Sequence, residues 1–264
     1  EGVTMDYFML DKLEVRVHAT TEAMAADAAG HVAGQIRKLL ASRSEANVVV
    51  SGALSQQAFH HTLVAQPDVA WDRVNCFAVD DFWSPRMDPQ YAVSEQPRRD
   101  LFARVRPRTV NVIRFDAPDP EIERQRYEDL IAAHPPDIAC LGIGRSGHIA
   151  FNEPGQTDFD DPKKVRVIDV VDESKRQLLD DPNFRRLGVI PSKGITITVR
   201  ELMRCPSVSV VVPFREKAPV IERLFDLPEP TEEFPASILR QKEGGVLFLD
   251  ADSYALAAAR RRRG

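Results

Sequence analysis

The chain has 264 residues, 43% of them hydrophobic and 28% charged, with 35 Lys and Arg against 40 Asp and Glu and a formal net charge of −5. That length suits one large α/β domain or two small ones, and the apolar content excludes disorder as the main state. The acidic balance excludes a global basic field for nucleic acid, and no stretch approaches the roughly 18–20 continuous apolar residues of a membrane span.

In chain order, residues 1–5 carry no cationic segment ahead of an apolar core, so no secretory leader is expected there. Residues 21–40 space their apolar side chains as a helix does. A buried strand is expected at 47–51 (NVVVS), a helix at 55–64 and a strand at 74–79 (VNCFAV). Further strands are expected at 110–115, 138–143, 165–171, 195–199, 208–212 and 246–249, with helices at 121–133 and 217–227. Continuous apolar runs, rather than strict alternation, suit strands covered on both faces. Strands alternating with helices predict a three-layer, Rossmann-like α/β fold: a mainly parallel sheet, right-handed crossovers and helices on both faces.

No internal repeat or low-complexity linker divides the chain, and the proline-rich spots at 85–97 and 228–235 read as local loops. One domain over residues 1–264 is therefore expected. Residues 83–97 follow a strand and hold few apolar side chains, which suits a mobile cover over a site. Arg260–Arg263 read as a flexible, solvated C-terminal extension. Cys76, Cys140 and Cys205 are odd in number, widely spaced and flanked by apolar residues. No Cys or His cluster has metal-ligand spacing, so structural zinc is not expected and the cysteines read as reduced core residues of a cytoplasmic protein.

In open α/β sheets ligands bind outside the C-terminal ends of the strands, so the loops after the strands are where chemistry belongs. The strongest loop runs from Gly142 to Pro154 (GIGRSGHIAFNEP). Its glycines let the backbone turn tightly and approach a ligand. His148 and Glu153 place an imidazole beside a carboxylate, the usual pairing for proton transfer near neutral pH. A surface turn with an incidental histidine is the competing reading. At 80–81, two adjacent carboxylates, Asp80 and Asp81, repel each other, which raises a pKa and favours general-base work; an Asx turn with a helix cap competes. Ser51-Gly52-Ala53-Leu54-Ser55-Gln56 carries a strand through small residues into a helix, where free amides and the helix dipole favour an anion. It matches neither a Walker loop nor a dinucleotide fingerprint, and an ordinary βα turn competes. Lys217 opposes the dipole at a helix start, which an anion partner would explain as well as a solvated surface position does. His60 and His61 face different directions of one helix and read as non-catalytic.

Taken in this order, these residues resemble the glucosamine-6-phosphate deaminase (isomerase) family, which shares its fold with the 6-phosphogluconolactonases. Residues 142–154 are similar to the deaminase signature GxGxDGHIAFNEP and differ at one specified position. Val79-Asp80-Asp81-Phe82 stands in the place of the family's MDEY loop, and Pro235-Ala236-Ser237-Ile238-Leu239 resembles its PASxL segment. The resemblance covers residues 21–252, and Phe151-Asn152-Glu153-Pro154 favours the deaminases over the lactonases, which carry Ala-Ser-Leu-Phe-Pro after the histidine.

The resemblance implies that Asp80 is the base moving a proton between C2 and C1 of an amino-sugar phosphate, and that His148 helps open the sugar ring with Glu153 as its carboxylate partner. Asp81 completes the implied catalytic set. Ser51, Gly52, Ser55, Gln56, Gly144, Ser146 and Lys217 are the implied substrate-binding residues, Lys217 at the phosphate. Ammonia leaves, and neither a metal nor another cofactor is implied. The expected partner is a small-molecule sugar phosphate, with neither nucleic acid nor membrane, and with a homo-oligomer left open. The chain departs from the family at Ser146, where the family has aspartate, at Asp81 and Phe82, where it has glutamate and tyrosine, and in the loop at 51–56. The family's second phosphate-contacting arginine has no clear match, and Arg176 is the nearest substitute. A lactonase-like hydrolase and a catalytically degenerate sugar-phosphate-binding protein are the alternatives.

Overall fold

The structure, a computed structural model, describes residues 6–171 and 191–261. A hairpin comes first, β1 (Asp6–Leu10) antiparallel to β2 (Leu13–His18). Thr20 caps α1 (Thr21–Leu40) by accepting from the Ala23 amide. The helix buries an alanine-rich face at Ala25, Ala28, Ala29 and Ala33, small side chains that let it lie close to its neighbours. Next come β3 (Ala46–Val50), α2 (Gln57–Val64) entered through a 3-10 turn at Leu54–Gln56, β4 (Val74–Ala78) and β5 (Asp80–Trp83). β6 (Thr109–Asn111), α3 (Pro120–Ala133), β7 (Ile138–Leu141) and β8 (Val165–Asp169) follow. The described chain ends with β9 (Lys193–Ile197), α4 (Val199–Arg204), β10 (Ser207–Val212), α5 (Ala218–Asp226), β11 (Gly245–Asp250) and α6 (Ala255–Arg261).

Eight strands form one sheet in the order β1-β2-β11-β10-β7-β3-β4-β6, parallel at every pairing except β1 with β2. Alternate residues of each strand feed opposite faces. Val49, Phe77, Leu141, Val210 and Leu247 join Tyr127 and Ile131 of α3 and Ile221 of α5 on one face. Val48, Cys76, Cys140, Val211 and Phe248 join α1 and α2 on the other. This is the expected mainly parallel α/β sandwich. All three cysteines are buried and unpaired.

Membership of the sheet differs from the expectation. The strands expected at 165–171 and 195–199 lie outside it, in a separate antiparallel sheet of order β5-β9-β8. Their places are taken by β1 and β2. An apolar run specifies burial but not which sheet does the burying. The alternating β2 sequence LEVRVH gives a weaker signal than a continuous apolar run, and β5 opens on two aspartates. The first two residues of the C-terminal arginine run lie within the described residues. Arg260 and Arg261 end α6, where Arg260 pairs with Asp226 and the Arg261 guanidinium lies 3.9 Å from the Phe8 ring centroid. A cation over an aromatic face, on a helix that buries Ala257, holds this end against β1.

Candidate active site

Only Val79 separates β4 from β5. Its amide donates to Val50 O of the large sheet at 3.1 Å, and its carbonyl accepts from Ile197 of the small sheet at 3.0 Å. Asp80 is thereby fixed at the seam of the two sheets, 5% exposed, on the wall of a cavity of about 830 Å³. That cavity opens at the C-terminal ends of the adjacent strands β10, β7, β3 and β4, where a doubly covered parallel sheet places its ligands. Burial pushes the Asp80 carboxyl well above the usual carboxylate range. The negative charges of Asp81 and Glu153 push the same way, against a hydrogen bond from the Phe151 amide. A carboxyl so placed binds a proton more tightly than a free one and is a better base once ionised.

Asp81 faces away from the cavity. Its carboxylate accepts from the amides of Phe82 and Val93 at 2.8 Å each and of Ser94 at 3.1 Å. Burial raises it to about 6 against those hydrogen bonds. The segment expected as a cover forms one cavity wall, through Tyr91, Val93 and Gln96, and Asp81 ties it down.

The His148 ring lines the same cavity, with Nδ1 2.9 Å from Glu153 Oε1 and 2.8 Å from Ser146 Oγ. The Ser146 hydroxyl donates to Glu153 Oε2 at 2.8 Å, so its proton is committed. Nδ1 is therefore the donor in both contacts and carries a proton. The buried Glu153 orients the ring directly and through Ser146. The motif's spacing has a steric cause: a Cβ on Gly144 would lie 2.0 Å from the imidazole, and Gly147 turns at φ +89° against the Phe234 ring. Asn152 locks the loop to the neighbouring elements. Its side-chain amide donates to Ile149 O and Ile197 O at 2.9 Å, and its oxygen accepts from Val199 N at 3.3 Å.

The amides of Leu54 and Ser55 open the 3-10 turn with no partner among the described residues, whereas the Ala53 amide donates to Gln96 Oε1 at 3.2 Å. Gln56 is buried. Its Nε2 donates to Val211 O at 3.0 Å, and its Oε1 has no hydrogen-bond partner among the described residues. Lys217 reaches in from the loop after β10 and donates to Ile143 O at 2.8 Å; burial pushes its ammonium pKa down.

Eight of the residues singled out from the sequence thus share one cavity: Ser51, Gly52, Ser55, Gln56, Asp80, Gly144, His148 and Lys217 all line it. Asp81, Ser146 and Glu153 stand behind that wall. Arg176 lies outside the described residues. His60 is buried with its imidazole lowered to about 3 by desolvation, and its Nδ1 lies 3.1 Å from Gln96 Nε2, away from the cavity. Sequence reading missed Gln96, Asn152, Arg145 and Glu216. Arg145 and Asn152 lie inside the strongest motif, where their position was itself a signal; Gln96 and Glu216 reach the site only through folding.

The chain matches the family model of glucosamine-6-phosphate isomerases/6-phosphogluconolactonase over residues 19–248. It is 36% identical over 138 residues to a glucosamine-6-phosphate deaminase of Exiguobacterium sp., covering 51% of each chain. A deaminase of Bacillus cereus is 32% identical over 142 residues, 54% of this chain and 52% of that one. The chain thus spans about half the length of the curated relatives it matches. Among solved structures, a monomeric glucosamine-6-phosphate deaminase superposes with a TM-score of 0.79 at 22% identity, over 92% of this chain and 99% of that one. The 6-phosphogluconolactonase of Thermotoga maritima superposes at 0.70 and 20% identity, over 89% and 98%. At these identities the superpositions speak for the fold. With its family match running through the cavity loops of both sheets, the chain belongs to the glucosamine-6-phosphate isomerase/6-phosphogluconolactonase family.

Proposed function

We propose that this chain converts an amino-sugar phosphate of the glucosamine-6-phosphate type into the corresponding ketose phosphate with release of ammonia. The observation that carries the reading is one cavity holding a buried carboxyl, Asp80, and an imidazole, His148, whose Nδ1 is fixed by Glu153 at 2.9 Å. His148 Nε2 takes the proton of the sugar's anomeric hydroxyl and returns one to the ring oxygen, opening the ring. Ionised Asp80 removes the proton from C2 as the C1 carbonyl oxygen takes one from solvent, giving an enolamine, and then delivers its own proton to C1, leaving a protonated imine at C2. That imine adds water and expels ammonia. Each such acid–base group contributes about 10²–10⁴-fold. Ser51, Gly52, Ser55 and Lys217 hold the phosphate, and Asp81 and Ser146 position the wall and the imidazole. The relatives named for this deaminase support the reading, although half of their length lies outside the match.

Ammonia release from glucosamine 6-phosphate tests it: turnover by the wild type and its loss in Asp80→Asn are expected. The neutral Ser146 beside His148, together with the lactonase-like fold, favours a second reading, a 6-phosphogluconolactonase-like hydrolase. Rapid hydrolysis of 6-phosphogluconolactone without ammonia release would make it the better one. Binding of sugar phosphate with neither turnover would leave a degenerate binding protein. Three buried, unpaired cysteines suit a reducing cytoplasm. The acidic net charge speaks against polyanion partners.

A further inference from the structure

We propose that Arg145 is a phosphate-binding and specificity-determining residue of this cavity, held ready by Glu216; this rests on the sugar-phosphate reading above. Arg145 and Lys217 are the only lysine or arginine side chains lining the cavity among the described residues. Lys217 alone offers a point charge with one of its three donors already given to Ile143 O, and burial lowers its pKa. Arg145 also has a partner, Glu216, but that partner is exposed and the guanidinium keeps further donors. Guanidinium stays charged in every protein environment and meets phosphate with two parallel donors.

Topology supplies the position. Strands β10, β7 and β3 are neighbours, so the loop carrying Arg145 after β7 lies between the Ser51–Gln56 loop after β3 and the Lys217 loop after β10. Leu54, Ser55 and the two cations therefore line the cavity from three neighbouring loops. The Arg145 side chain is exposed and bends to Glu216, Nη2 to Oε2 2.8 Å, with both side chains about half exposed. An exposed pair of this kind holds only weakly. A phosphate monoester, with more charge and three acceptor oxygens, competes for the same guanidinium. Glu216 thus keeps Arg145 over the cavity mouth when no phosphate is bound and yields it when one arrives. The substrate class that follows is a sugar bearing a terminal phosphate dianion, with the neutral sugar excluded by loss of affinity.

Calorimetric titration of the whole chain with glucose 6-phosphate, which has no amino group to lose, tests this apart from turnover, with glucose as the phosphate-free control. Wild type is expected to bind glucose 6-phosphate and not glucose. Arg145→Ala should weaken binding by about tenfold or more, the size of one charge-assisted hydrogen bond, and Arg145→Lys by less. Glu216→Gln should leave affinity unchanged or tighten it, since it frees the guanidinium and removes a negative charge. Equal affinity of Arg145→Ala and wild type overturns the proposal. So does parallel weakening in Arg145→Ala and Glu216→Gln, which marks the pair as a structural latch. The expected pattern without ammonia release from glucosamine 6-phosphate leaves Arg145 in its role and removes the deaminase reading. A wild type that binds no sugar phosphate removes both.

Discussion

Asp80 is the residue on which chemistry and stability pull in opposite directions. Its neighbours within the fold, Asp81 and Glu153, are negative, and burial removes the water that would solvate its charge. The neutral acid is therefore the form the fold prefers, whereas proton abstraction needs the carboxylate. Because the folded pKa is raised, the destabilising effect of ionisation begins near the unfolded value of about 4 and grows as pH rises toward the folded one. Asp80→Asn removes that effect. We expect the variant to lose ammonia release and to melt higher than wild type near pH 7, by a few degrees at roughly 2–4 °C per kcal/mol for a chain of this size. At pH 3, where wild-type Asp80 is also neutral, the two melting temperatures should coincide. Thermal scans from pH 3 to 8 measure both; a constant difference across that range would show that charge is not its source. Asp80 was legible as a candidate base from two adjacent aspartates after an apolar strand. The separate duty of Asp81 was not, because its three amide donors include two from residues 12 and 13 positions ahead.

Among elements, the loop from Gly142 to Pro154 holds the most proposed site residues, and its sequence constraints are steric. Gly144 leaves room for the His148 ring directly over its own Cα, and its amide donates to His148 O at 3.0 Å. Gly144→Ala should displace the imidazole from Glu153 without disturbing the sheets, since a methyl 2.0 Å from the ring leaves the side chain nowhere else to stay. A misplacement of about 1 Å costs on the order of 10²-fold in rate. Steady-state ammonia release is expected to fall by about that factor while the circular-dichroism spectrum and melting temperature stay close to wild type. A variant that retains its rate would mean that the ring does not take part from this position. The loop's outline was legible because its glycines, histidine and carboxylate are close in sequence. The neutral bridge was visible only as a substitution. Folding shows Ser146 donating to Glu153 while accepting from His148, so the network keeps a single carboxylate on the ring.

At the scale of the molecule, the two sheets share a core. Val165, Ile195 and Ile197 of the small sheet pack in the same apolar cluster as Val79, Leu141 and Ile143. One cooperative unit over both sheets is the expected consequence, in keeping with a single domain. The chain's two tryptophans report on it from different places. Trp71 lies in the α1–α2 cluster, and Trp83 closes β5 with its indole donating to Ala117 O at 2.9 Å. Single-tryptophan variants made by Trp71→Phe and Trp83→Phe should give the same urea midpoint by fluorescence. An earlier transition seen from Trp83 alone would separate the small sheet as its own folding unit.

What the sequence by itself determined is what local chemistry can carry: buried strands from continuous β-branched runs, helices from apolar spacing, and a loop whose histidine, serine and carboxylate lie a few residues apart and meet. Hydrophobicity has no address, however, so only the tertiary structure decided that β8 and β9 leave the parallel sheet to pair with β5. It alone set Asp80 at the seam of the two sheets. It also brought Gln96 to the Ala53 amide and Glu216 to Arg145 across 43 and 71 residues. Contacts of that separation form only once strand order has placed three loops at one sheet edge, and no periodicity along the chain encodes that order.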